Sequence, residues 1–171
     1  MQTASSLYSL KYDDAKTYLV ASLFIIGNVL LPQLCHLLPN GGMIWLPIYF
    51  FTLIGAYKYG WRVGLITAIA SPLVNSVLFG MPAASALPSI VLKSSLLAFL
   101  AGIIAAKFGK ASLILLLATV AGYQIAGTFG EWFIKGDLYA ALQDFRVGVP
   151  GMLVQVFGGW LVINKSIIKK I

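Results

Sequence analysis

Long apolar runs alternate with short clusters of charge, glycine and proline along almost the whole chain. Division at those clusters gives six apolar stretches: Tyr18 to Leu38, Met43 to Tyr57, Val63 to Phe79, Leu87 to Ala106, Ser112 to Gly130 and Val147 to Asn164. About 20 helical residues cross a hydrocarbon core of about 30 Å, so these stretches are of roughly spanning length. The second is short unless it begins within the loop before it. Pro32 interrupts the first; Trp61 and Arg62 open the third, which Gly80, Met81 and Pro82 close; Pro150 lies near the start of the sixth. In lipid a backbone must satisfy its own hydrogen bonds, and no ten-residue alternation suggests a barrel, so helices are expected. The pattern predicts an all-α integral membrane protein with six transmembrane helices in a single membrane domain over residues 1–171.

Composition supports this class. Of 171 residues, 60% are hydrophobic and only 10% charged, whereas soluble domains carry about 25% charged residues. The net charge of +7 would suit nucleic acid, but so few charges spread over so much apolar sequence cannot form a solvated basic surface. The first twenty residues have neither a basic start before an apolar run nor a small-residue cleavage site, so no signal peptide is expected.

The basic residues give an orientation. Lys11 and Lys16, Lys58 and Arg62, Lys107 and Lys110, and Lys165, Lys169 and Lys170 fall on one side of a six-span arrangement. Only Lys135 and Arg146 fall on the other, in a loop from Glu131 to Arg146 that also holds Asp137 and Asp144. The positive-inside rule then places both termini in the cytoplasm.

With directions assigned, the polar side chains collect near the outward ends of the spans. Gln33 and His36 come late in the first span, Asn75 late in the third, Gln124 and Thr128 late in the fifth; Lys93 comes early in the fourth and Gln155 early in the sixth. Polar groups at one depth on five helices imply a pocket open to the outside rather than a continuous channel. Helical spacing puts Gln124, Thr128 and Glu131 on one face and Gly151, Gln155 and Gly159 on another. Gly64 with Ala68, and Ala101 with Ala105, have the spacing of close helix contacts.

Lys93 is the sharpest single residue, since a lysine in a span costs about 2.5 to 3.5 kcal/mol on insertion scales. Either it snorkels to the outer interface or its ammonium faces the pocket, to hold a ligand carboxylate or phosphate or to pair with Glu131. Trp45, Tyr49, Tyr123 and Trp132 lie near the outer ends, as an interfacial belt or as a stacking surface for a planar ligand. Cys35 beside His36 could ligate a metal, including the metal centre of a bound cofactor, but a buried thiol next to a loop histidine fits two adjacent residues as well.

Enzyme motifs are absent. One cysteine excludes an internal disulfide framework, and a single histidine removes most metal and acid–base constellations. Gly109-Lys110-Ala111-Ser112 is no P-loop, because Gly102 stands too far before it and the serine is displaced. No Gly-x-Ser-x-Gly precedes a helix. A non-enzymatic role is expected, with energy supplied by partners or gradients.

Several segments, taken together, resemble one family. Leu46-Pro47-Ile48-Tyr49 followed by Gly55, Gly60-Trp61 and Gly64, Ser71-Pro72, Gly80-Met81-Pro82, Gly102, and Pro150-Gly151-Met152-Leu153-Val154-Gln155 form a pattern over roughly residues 18–165. That pattern is similar to the substrate-binding S components of energy-coupling factor (ECF) vitamin transporters. The resemblance implies a multi-pass protein of a prokaryotic cell membrane that captures a vitamin or related micronutrient from outside and topples in the bilayer to deliver it. Its partners would be a transmembrane T protein and two cytoplasmic ATPases, which use ATP; this chain would bind no cofactor of its own. The family's pocket would place Asn40, Met81, Lys93, Gln124, Trp132 and Gln155 at the ligand; His36, Asn75, Tyr49, Tyr123 and Glu131 are additional candidates from their position near the outward ends. Related sequences often have His at the position of Tyr49 and Glu at that of Lys93, a departure that favours an anionic ligand here. The small-residue motif by which many members dock the T protein is not clean, since Ala21 is followed by Ile25. The alternative is a small integral-membrane enzyme or assembly factor acting on a lipid or isoprenoid through Lys93 and Glu131.

Overall fold

The computed structural model describes residues 7–165, which leaves Lys169, Lys170 and the first six residues of the N-terminal stretch outside the described residues. The described residues form helices and connections, with no strand among them. In chain order the helices are α1 (Ala15–Cys35), α2 (Gly41–Trp45), α3 (Phe50–Tyr59), α4 (Trp61–Phe79), α5 (Leu87–Phe108), α6 (Leu113–Lys135), α7 (Leu138–Ala141), α8 (Gln143–Val147) and α9 (Val149–Lys165). A single 3-10 turn, Pro47–Tyr49, joins α2 to α3.

Local chemistry sets the helix ends. The Asp14 carboxylate accepts from the Lys16 amide at 2.9 Å and opens α1. The Ser112 hydroxyl accepts from the Leu115 amide at 3.3 Å and opens α6. Each cap occupies a donor that the first helical turn leaves without a partner. Gly109 ends α5 at φ 61°, a left-handed conformation that costs glycine little, and its amide donates to the Ala105 carbonyl.

Four helices, α1, α4, α5 and α6, are long and apolar enough to cross a membrane. The chain is a multi-pass membrane protein. Three of these sit close to the expected spans; α6 runs on to Lys135, beyond the expected end at Gly130, because Gly136 at φ 69° is the residue that stops it. Glu131 and Trp132 are therefore helical rather than in a loop. The second expected span, 43–57, is not one helix. Leu46 turns left-handed at φ 46°, and Pro47 has no amide proton with which to continue the ladder of α2. What remains, α3, has 10 residues. The sixth, α9, has 17 residues, about 26 Å at 1.5 Å per residue.

The short α3 is tolerated because little of it faces outward. It packs against α1, α4, α5 and α9, and every residue from Thr52 to Tyr59 is buried. The helices around it are inverted relative to a soluble protein. Leu19, Leu23, Ile26 and Leu30 run down the exposed face of α1, while Asn28 on the same helix is fully buried. Asn28 Nδ2 donates to Thr52 Oγ1 at 3.1 Å and to Ser71 Oγ at 3.3 Å, and its Oδ1 accepts from the Phe51 amide at 3.2 Å. Asn75 Nδ2 donates to the Asn28 carbonyl at 2.9 Å. Polar groups thus join α1, α3 and α4 where lipid offers no competing partner, and the apolar exterior is what a hydrocarbon solvent requires.

Small residues let the helices approach. A Cβ on Gly64 would fall 2.3 Å from Ala56 Cβ, and one on Gly102 would fall 2.5 Å from Trp61 Cβ. The close-contact reading of Gly64 therefore holds, and Ala68, Ala101 and Ala105 are buried as well.

The connections gather at two ends. At one, the Tyr8 amide donates to the Lys58 carbonyl at 2.7 Å, Tyr57 OH to the Lys110 carbonyl at 2.9 Å and Asn164 Nδ2 to the Ala111 carbonyl at 3.1 Å. This is the end that carries the basic connections of the sequence. The other end is built from the segments 36–43, 80–87 and 136–148.

Candidate functional site

The second end of the bundle holds a buried charge cluster. Lys93 lies on α5, facing α6, and its aliphatic stem passes directly over Gly127, where a Cβ would come 2.5 Å from Lys93 Cγ. One helical turn beyond Gly127 stands Glu131, and one turn further Lys135. Lys93 Nζ lies 2.5 Å from Glu131 Oε2 and 2.8 Å from Asp144 Oδ2, and Lys135 Nζ lies 2.5 Å from Glu131 Oε1. The side chain of Lys93 is only 3% exposed, which rules out the snorkelling alternative. The ammonium faces inward and already holds two carboxylates.

That pairing removes the basis for expecting an anionic ligand. Lys93 and Lys135 carry two positive charges, and Glu131 and Asp144 carry two negative ones, so the cluster has no cationic excess to offer.

Beneath the cluster lies an aromatic and amide layer. The Tyr49 and Tyr123 rings have centroids 5.5 Å apart and both are buried. Tyr123 OH donates to Gln155 Oε1 at 2.9 Å and accepts from Gln124 Nε2 at 3.0 Å, which ties α6 to α9. Gly151, one turn before Gln155, takes the Trp45 carbonyl against its Cα, since a Cβ there would fall 2.4 Å from that oxygen. Four buried polar atoms in this region, Ser89 Oγ, Gln124 Oε1, Thr128 Oγ1 and Gln155 Nε2, have no hydrogen-bond partner in the protein.

Two adjoining cavities open here. A cleft of about 740 Å³ is lined by His36, Asn40, Asn75, Met81 and Gln143 among others. A smaller pocket of about 140 Å³ is lined by Tyr49, Ser89, Lys93, Glu131 and Asp144. Ala86, Ile90 and Lys135 line both, so the pocket continues the cleft inward. The space lies between the connections after α1, after α4 and after α6.

Of the residues singled out from the sequence, Asn40, Met81, His36 and Asn75 meet at the cleft. Lys93, Tyr49 and Glu131 meet at the pocket. Tyr123, Gln124 and Gln155 are linked to one another behind it. Asn75 is also committed to the packing of α1 on α4, since Gln33 Nε2 donates to its Oδ1 at 3.4 Å and its amide nitrogen bonds two carbonyls. Trp132 does not belong to the site. It follows Glu131 by one residue, which is 100° around the helix, and is 39% exposed beside Phe133. Among the described residues no third His, Cys, Asp or Glu joins Cys35 and His36 in a metal-binding group. His36 packs instead over Gly42, where a Cβ would fall 2.8 Å from its Nε2.

The sequence reading missed Asp144, Lys135, Ser89 and Asn28. Asn28 carried a usable signal, a polar amide in the middle of an apolar span. Asp144 carried none, because its partner Lys93 is 51 positions away and the short helix α8 that presents it has no periodicity to read.

Comparison with protein-family profiles, with curated proteins and with solved structures returns no match for the chain.

Proposed function

We propose that this chain is the membrane-embedded, substrate-capturing subunit of an ECF-type importer. In this reading it crosses a prokaryotic cell membrane six times, with α2, the 3-10 turn and α3 as the second crossing and α9 as the sixth. Both termini are cytoplasmic, since the basic connections share one end of the bundle. The cleft then opens to the outside and takes a vitamin-like solute. Delivery depends on a transmembrane T protein and two ATPases, and no chemical turnover belongs to this chain.

One observation carries the reading: the cleft of about 740 Å³ between three connections, with a buried polar pocket at its inner end. Such a volume lies in the range of small-molecule sites, which are usually concave and carry a few placed polar groups. The glycines and prolines of the family-like segments support it as well. Gly151 and Pro47 shape the contact between α9 and the α2–α3 break, next to the pocket.

The test is to purify the chain gently in detergent from cells grown in rich medium and to identify any co-purified small molecule by mass spectrometry, with Lys93→Ala alongside. One water-soluble metabolite in stoichiometric amount, weakened or lost in the variant, is the expected result. A preparation that holds only lipid, even after addition of a vitamin mixture, would sink the reading and bring forward a membrane enzyme acting on lipid or isoprenoid.

A further inference from the structure

We infer that the pocket selects a polar solute without net charge, neutral or zwitterionic, and that Asp144 sets this selectivity. The inference rests on the capture reading given above and names the class of substrate for that site.

The long helices alone would build a cationic site. Lys93 on α5 and Lys135 on α6 outnumber Glu131 on α6 by one charge. The missing negative charge comes from the connection between α6 and α9, where α8 brings Asp144 Oδ2 to 2.8 Å from Lys93 Nζ. The four groups then sum to zero. Their side chains are poorly hydrated: Lys93 is 3% exposed, Glu131 9% and Asp144 11%, with Lys135 more open at 33%.

A solute that enters the pocket of about 140 Å³ meets this balanced cluster at first hand, because Lys93, Glu131 and Asp144 are themselves part of the lining. A net charge on that solute would stand in a low-dielectric site with every counter-charge already engaged. Burial of an uncompensated charge is strongly unfavourable, so a net anion or cation is rejected. A solute with local dipoles loses nothing comparable. It can also use Ser89 Oγ, which lines the pocket, is 2% exposed and has no partner in the protein. The Tyr49 ring closes another wall and suits a planar body.

The experiment loads the full-length protein in detergent with rich-medium extract plus an equimolar probe mixture. The mixture contains nicotinamide, pyridoxine and riboflavin, their anionic counterparts nicotinate, pyridoxine phosphate and flavin mononucleotide, and the cation thiamin. Retained solutes are then counted by mass spectrometry. The wild type is expected to retain a net-neutral or zwitterionic solute. Asp144→Asn, which leaves the cluster at one positive charge, should move the neutral-to-anion ratio toward anions by about tenfold or more, a change of about 1.4 kcal/mol. Asp144→Asn with Lys135→Gln returns the sum to zero and should return the ratio. Lys135 does not pair with Asp144, so mere loss of structure would not be rescued in this way. Lys135→Gln alone leaves one negative charge and should admit thiamin, which keeps the inference open to refutation if the Asp144 variant does not fold. A wild type that retains mainly a net anion or cation, or a ratio that ignores these substitutions, overturns the charge selectivity and leaves capture standing. Retention of lipid only overturns capture and, with it, this inference.

Discussion

Replacement of Lys93 by methionine removes one charge at nearly constant length and tests whether the cluster is a coupled unit. Glu131 keeps Lys135 at 2.5 Å, but Asp144 loses the cation at 2.8 Å with which it is paired. Its side chain is 11% exposed, so water replaces the lost ammonium poorly. Removal of one partner of a buried ion pair costs about 3–5 kcal/mol. The slight exposure of Asp144 and the retained Lys135 bring the expectation for Lys93→Met to about 2–4 kcal/mol. The methionine stem should still cover Gly127, so no cavity adds to the effect. Stability is read from equilibrium unfolding in mixed micelles, followed by helical circular dichroism. Lys93→Met with Asp144→Asn removes the orphaned charge and should recover most of the loss, because a buried pair is rarely more stable than a neutral replacement. A Lys93→Met loss below about 0.5 kcal/mol would refute the reasoning, as would a double variant no better than the single one.

Three further outcomes are expected. Gly151→Ala should destabilise by about 1–3 kcal/mol in the same assay, because its Cβ would meet the Trp45 carbonyl at 2.4 Å, whereas Gly122→Ala, with an ordinary 3.4 Å contact to Leu100, should be close to neutral. Asn28→Ala should cost about 2 kcal/mol, since three hydrogen bonds at about 0.6 kcal/mol each are lost. In a Cys35→Ser background, single cysteines at Lys110 and at Tyr139 should label from opposite faces of sealed membranes with an impermeant maleimide; labelling from the same face would contradict the crossing of the membrane by α6.

The all-helical membrane class was legible because it depends on summed hydropathy, which single residues scarcely change. The end at which the polar residues gather was legible for the same reason. Lys93, Gln124, Glu131 and Gln155 stand out against apolar neighbours, and their depth follows from helical rise. The break at Leu46 was harder to see. Pro47 marks it, but apolar residues on both sides give the appearance of one continuous span. Helix ends were misjudged where one glycine was taken for another: Gly130 looks like a stop, yet Gly136 is the one that adopts positive φ. Asp144 was beyond reach because ion pairing across 51 residues is a property of the packed bundle. Without it Lys93 was read as favouring an anionic ligand, with only Glu131 to pair with.

The pairing of Tyr49 with Tyr123 shows how two readings of one residue class divide in space. Of the four outer aromatics, these two are buried and face each other, while Trp45 and Trp132 are 37% and 39% exposed. Interface anchoring suits the tryptophans, whose polar edge can remain near water. Tyr123 is held by the Gln124 and Gln155 amides, which would be left without that hydroxyl in Tyr123→Phe.

Native mass spectrometry of the intact chain, released from detergent after exposure to rich-medium extract, tests the capture of a solute in the cleft most directly. One small water-soluble adduct per chain is expected for the wild type. Ala86→Trp, which fills the junction of cleft and pocket and leaves all four charged side chains of the cluster in place in the sequence, should keep the fold and lose the adduct. An adduct that survives in Ala86→Trp, or a wild type that carries lipid alone, would contradict it.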